Sequence, residues 1–179
     1  MIAIAPKVTA QVLPEEFEQI YRAHSAFIYR TAYRVTGNSA DAEDVLQTLF
    51  LRLFRRVWFP EPQFGWPAYL RRAAVNIALD IVRTRGRQVA LGDTEVAHPE
   101  NRPDPFREHT SGELRDWLTT ELGKLNTNWA EIFILRYVEG YKIQEIAKML
   151  HTTKSTVAVT LFRTRSRLRK WSRKFLGGS

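Results

Sequence analysis

The chain has 179 residues, 44% of them hydrophobic, and a formal net charge of +8. That is apolar material for one large or two small globular domains, and it excludes wholesale disorder. With no cysteine it can form neither disulfides nor thiolate metal sites, and none of its apolar runs is long enough to span a bilayer.

The start MIAIAPKV is broken by Pro6 and Lys7 and lacks a basic leader, so it is a poor signal peptide. A cytoplasmic protein without membrane insertion is the expectation. Charge is unevenly distributed. Residues 1–86 carry +3, residues 87–112 carry −2 and residues 113–179 carry +7. A basic C-terminal module behind a slightly acidic connector points to a division of labour along the chain.

After an N-terminal segment of residues 1–13, Pro14 suits a first helical turn. Phe17, Ile20, Tyr21, His24, Phe27, Ile28 and Ala32 follow at helical spacing until Gly37. A second helix is predicted to open at Ser39 as N-cap, with Asp41, Glu43 and Asp44 complementing its positive end. Its buried stripe is Leu46, Leu49, Phe50, Leu53 and Val57, which turns Asp44, Thr48, Leu51 and Arg55 outward with Gln47 at the margin. The segment WFPEPQFGWP must be a loop.

A third helix is predicted from about residue 68 to 85, with Leu70, Ala74, Ile77 and Ile81 inward and Arg72, Asn76, Asp80 and Arg83 on a separate polar arc. Beside that arc lie the loop aromatics Trp58, Phe59, Phe64 and Trp66. Cations next to aromatics suit unstacked single-stranded bases. The same aromatics would serve equally as core, and Asp80 would serve equally as a local partner of Arg83.

Residues 87–112 are polar, carry Pro99, Pro103 and Pro105 and show no periodicity, which reads as an extended linker. Beyond it, residues 113–122, 129–138, 143–150 and 154–175 read as helices. No alternating strand pattern occurs. The expected fold is all-α, two small helical domains (14–86 and 113–179) joined by that linker.

The C-terminal part carries the sharpest signal. Gly140 ends one helix; Ile143, Ile146, Ala147 and Leu150 pack the next; His151, Thr152 and Thr153 make a turn, with Thr153 as N-cap. On the last helix Val157, Leu161, Thr164 and Leu168 share a buried side, leaving Ser155, Val159, Phe162, Ser166 and Lys170 opposite, flanked by Arg163 and Arg169. Between positions 154 and 174 stand eight cations and no acid. A helix–turn–helix entering a basic helix suits duplex DNA, with the first turns over base edges and arginines on phosphates. Val159 and Phe162 can meet thymine methyl groups or pack internally, and both readings are open at this point.

Together these segments resemble the extracytoplasmic-function sigma factors of bacteria. DAEDVLQTLFLRLFR at 41–55 is similar to the family's polymerase-binding helix, YLRRAAVNIALDIVRTRGR at 69–87 to its −10 promoter-reading helix, and EGYKIQEIAKMLHTTKSTVAVTLFRTRSRLR to its −35-reading helix–turn–helix. The resemblance covers residues 14–86, as region 2, and 113–172, within a region 4 domain. It implies a subunit that brings core RNA polymerase to promoters. Asp41, Asp44, Gln47, Thr48 and Leu51 would face the clamp helices of the largest catalytic subunit, and region 4 the flap of the second-largest. Phe64 and Trp66, with the loop around them, would capture a flipped −10 base, and Arg71, Arg72, Asn76, Asp80 and Arg83 would hold that element. Thr153, Lys154, Ser155, Thr156, Ala158, Val159, Phe162, Arg163, Arg165 and Arg169 would meet the −35 element. An anti-sigma factor is the further implied partner.

This chain departs from the family pattern at three places. Tyr69 stands where the family often has tryptophan; Ala158 and Thr160 stand where it often has basic and polar residues, implying fewer or more apolar −35 contacts. Thr153-Lys154-Ser155 replaces a usually small, acidic-flanked start to the recognition helix.

Two other classes compete. An enzyme is disfavoured because His24, His98, His109 and His151 are scattered, without a carboxylate cluster or phosphate-cradling glycine loop; no cofactor, metal or catalytic residue is expected. A dimeric helix–turn–helix repressor or activator explains the C-terminal half but leaves residues 41–55 and the Arg72–Arg83 arc without a role.

Overall fold

The computed structural model describes residues 14–55, 64–91 and 108–176. All regular structure among them is helical: α1 (Pro14–Thr36), α2 (Ser39–Arg55), α3 (Gly65–Leu91), α4 (Glu108–Gly123), α5 (Thr127–Tyr137), α6 (Ile143–Met149) and α7 (Lys154–Leu176). Val57, Trp58, Phe59, His98 and the prolines at 99, 103 and 105 lie outside the described residues.

Local chemistry explains the helix ends. Asn38, one residue before the expected Ser39, caps α2: its Oδ1 accepts the Asp41 N–H at 3.0 Å. Asn126 caps α5 in the same way, through the Asn128 N–H at 3.0 Å. At α6 the Lys142 N–H donates to Glu145 Oε2 at 2.6 Å, the back half of a capping box. Thr153 caps α7 as expected, with Oγ1 accepting the Thr156 N–H at 3.1 Å. The turn before it places His151 at φ 49°, a left-handed conformation that few non-glycine residues adopt.

Helices α1, α2 and α3 pack as a bundle around Ile28, Ala32, Val45, Leu49, Leu53, Leu70 and Ala74, all fully or almost fully buried. The stripe expected on α7 is buried; of that on α2, Leu49, Phe50 and Leu53 are buried and Leu46 partly so, with Ala42 and Val45 added. A second cluster, built from Ile132, Leu135, Ile146, Ala147, Met149, Val157 and Leu161, closes α5, α6 and α7 on one another.

Three boundaries differ from expectation. Helix α3 opens at Gly65, so Gly65, Trp66 and Pro67 of the segment expected to be loop are helical, with Pro67 tolerated in the first turn. It continues through Gly86 to Leu91 and α4 opens at Glu108, so helix reaches into both ends of the segment 87–112. An isolated exposed glycine weakens a helix without ending it.

The two halves are also packed together. Leu122, Leu125, Ala130, Ile134 and Leu168 belong to the same continuous core as α1–α3. Helix α3 is the pivot, touching α1 and α2 on one side and α4 and α5 on the other. Where α3 meets the end of α4, a Cβ on Gly123 would lie 3.0 Å from Val82 Cγ1, so glycine there leaves room for the valine side chain.

Candidate nucleic-acid interface

Three surfaces carry the residues singled out from sequence. The first is the outward side of α2. Asp44 and Gln47 are exposed, Thr48 is half-buried, and Leu51 is 54% exposed beside Phe54 at 63%. Phe54 is held by Phe17 of α1, their rings edge-on at 5.4 Å. Asp41 belongs to this surface only at its margin, because its carboxylate pairs with Arg85 of α3 at 2.7 Å. Burial holds the Asp41 carboxyl above the ordinary range for aspartate, outweighing the Arg85 guanidinium that pulls it down.

The second surface is α3, and here the polar arc expected to face outward is engaged by the other half of the chain. Arg72 Nε donates to Glu131 Oε1 at 2.7 Å, and Asn76 Nδ2 donates to the same oxygen at 3.1 Å. Arg72 also donates to the Met149 carbonyl at 3.3 Å. Arg83 donates to the carbonyls of Gly123 and Leu125, each at 3.3 Å, and lies 3.6 Å from Asp80, the local pair weighed above. Asp80 itself remains exposed.

Arg71 is clamped by the turn after α5. Its Nε lies 3.1 Å from Glu139 Oε2, and its guanidinium stacks on the rings of Phe27 and Tyr141. Arg34 and Thr31 of α1 bind the same Glu139 carboxylate, each at 3.2 Å. Trp66 is half-buried, edge-on to Tyr69, while Phe64 is exposed with its ring 6.2 Å from that of His151 in the helix–turn–helix turn.

The third surface is α7. Val157, Leu161, Thr164 and Leu168 are buried, as the spacing requires, so the opposite side is turned to solvent. Thr153, Lys154, Ser155, Thr156 and Ala158 are exposed at its first turns. Val159 is 48% exposed and Phe162 64%, which settles their open alternative: neither packs internally. Arg163, Arg165 and Arg169 are exposed too, and no acidic side chain among the described residues pairs with them.

Family models match for Sigma-70 region 2 over residues 20–88 and Sigma-70, region 4 over residues 115–168. The RNA polymerase sigma-E factor of Streptomyces coelicolor is 30% identical over 155 residues, covering 87% of this chain and 85% of that protein. This chain belongs to the extracytoplasmic-function sigma factors.

Other relatives agree. The ECF RNA polymerase sigma factor SigE of Mycolicibacterium smegmatis is 33% identical over 165 residues, 90% of this sigma factor. The chain covers 63% of that relative's length, against 88% of SigW from Bacillus subtilis, at 27% identity. The fold is shared with a solved structure, the sigma factor RpoE of Bartonella quintana in complex with the anti-sigma factor NepR. The TM-score is 0.52 at 20% identity, with 87% of this chain and 96% of that one covered.

Sequence reading missed Glu131 and Glu139, which this sigma factor buries against its own arginines. The signal was available. Around α3, Ala73, Ala74, Val75, Ile77, Ala78, Leu79, Ile81 and Val82 leave little polar circumference. A helix apolar nearly all round is buried on more than one side.

Proposed function

We propose that this sigma factor is a dissociable, non-enzymatic initiation subunit that binds core RNA polymerase and directs it to promoters with matched −10 and −35 elements. The outward side of α2, centred on Leu51 with Asp44, Gln47 and Thr48, docks on the clamp helices of the largest catalytic subunit. Region 4 meets the flap of the second-largest. Phe64 and Trp66 flank a captured −10 base, with Arg71, Arg72, Asn76 and Arg83 along the strand and Asp80 exposed beside them. The first turns of α7, from Thr153 to Phe162, enter the −35 major groove while Arg163, Arg165 and Arg169 hold phosphates.

The observation that carries this reading is the bare side of α7. A large aromatic and a valine sit in water among unpaired arginines, beyond a capped helix–turn–helix turn. A solvated structural helix has no use for an exposed Phe162, whereas a groove-reading helix does. Such a protein works where the genome is, which supports a cytoplasmic location; among the described residues no helix is long and apolar enough to cross a membrane. The complex of the Bartonella relative supports an anti-sigma partner for this chain as well.

Leu51→Asp tests the docking assignment. Leu51 is more than half exposed, so the variant keeps its helicity and melting temperature but loses association with core polymerase and gives no runoff transcript. Retained association in a pull-down would remove α2 as the docking helix.

A further inference from the structure

Two carboxylates hold the halves of the molecule together, and both hold cations of region 2. Glu131, on α5, and Glu139, in the turn after it, are among the most deeply buried charged groups described, with side chains 4% and 1% exposed. Glu131 takes Arg72 and Asn76; Glu139 takes Arg34, Arg71 and Thr31. Every one of these contacts crosses from one half of the chain to the other. An arginine and an amide donate to the one carboxylate, an arginine and a threonine hydroxyl to the other with Arg71 as a further ion pair, and a backbone phosphate would offer the same side chains equivalent anionic acceptors.

We infer that Glu131 and Glu139 act as an internal stand-in for nucleic-acid phosphate, latching region 4 over the −10-reading side of α3, so that closure of the chain and capture of the −10 strand exclude one another. This rests on the assignment of α3 made above. The latch is reachable. Arg72 and Glu131 line a cleft of about 690 Å³ between α3, α5 and the helix–turn–helix turn, and the Arg72 side chain is 41% exposed. A polyanion can therefore approach the pair without prior unfolding.

The energetics suit a reversible device. Removing one partner strands a buried charge, which is costly, but opening the halves returns both partners to water. Opening also uncovers Leu122, Leu125 and Ile134, so the free chain rests shut. Only ligands that prefer the open form shift that balance, and polymerase and promoter together supply two. By reciprocity, whatever opens the latch tightens −10 binding by the same factor.

The chain has no cysteine, so two introduced ones are its only labelling sites. In the full chain, Glu43→Cys on α2 and Lys148→Cys on α6, both exposed, report the separation of the halves by energy transfer. The otherwise unaltered chain should show one short-distance population, and titration with single-stranded DNA should convert it to longer distances. Glu131→Gln with Glu139→Gln should enlarge the long-distance population without DNA. If the chain is shut about nine-tenths of the time, that change tightens strand affinity about tenfold, since only the open fraction binds. Distances that move neither with DNA nor with the double substitution overturn the latch. Opening without tighter binding overturns the competition and the −10 assignment of α3 together, while docking through Leu51 stands apart. Should the double variant lose its helicity, the DNA titration of the unaltered chain decides alone.

Discussion

Helices α3 and α7 are the two long cationic helices of this sigma factor whose side chains are proposed to face the promoter, yet they are set in the fold in opposite ways. Four polar side chains of α3 are engaged within the chain: Arg71, Arg72, Asn76 and Arg83 each meet a carboxylate or carbonyl contributed by residues 123–149. Those of α7 are bare, with Phe162 and three arginines in water. The difference follows from where the acids point. Helix α5 packs against both, but its Glu131 carboxylate turns to α3, and α7 itself has no acidic residue between Lys154 and Lys170. Cations of the same type therefore play a structural part on one helix and have no acidic partner among the described residues on the other.

That contrast can be broken most severely at the core the halves share. Ile134, fully buried on α5 within the cluster that includes α1–α3, should cost about 2–5 kcal/mol on Ile134→Ala. Both halves should then melt in one transition at a lower denaturant midpoint. Two separate transitions would show that the halves do not stabilise one another.

Next in size is Arg72→Ala, which leaves the Glu131 carboxylate buried with Asn76 as its remaining side-chain partner. Chemical denaturation should register a loss of about 1–3 kcal/mol. On the bare helix the equivalent change should behave differently. Arg163→Ala should alter stability by less than about 0.5 kcal/mol, because its side chain is exposed and no acidic side chain among the described residues pairs with it. Its effect should appear instead in promoter binding by the holoenzyme, where the salt dependence becomes shallower by about 0.9 in log–log slope. An unaltered slope would mark Arg163 as a solvated side chain.

The smallest expected effect lies at Asp41. Burial raises its carboxyl in the folded chain above the ordinary value of 3.8, so the protonated form favours the fold. That contribution is complete below the unfolded value and is lost as pH rises through the folded one. Asp41→Asn lacks this dependence, so its stability relative to the unaltered chain should improve as pH climbs from below 4 into the mildly acidic range, measured by melting temperature. A difference that instead worsens with pH would show that the Arg85 pair governs the site.

Much of this was legible from residue order because it depends on neighbours a few positions away. The buried stripe of α7, its Thr153 cap and the outward position of Leu51 follow from a 3.6-residue period and from the donors a helix start leaves free. The all-α fold follows from the same period repeated along the chain. What periodicity left open at Val159 and Phe162 was whether a second element covers that side, a question of spatial partners.

The same limit explains what only tertiary structure decided. Glu131 has two apolar neighbours in Ile132 and Ala130 and shares no helical face with Arg72, 59 positions earlier, so nothing local announces their pairing. Nor does composition reveal that Asp41 turns toward Arg85. Helical sequence determines which residues share a side, whereas the identity of what meets that side is set by long-range packing of one apolar surface on another. In α3, where both sides were apolar enough to be covered, that packing made internal ligands of its arginines.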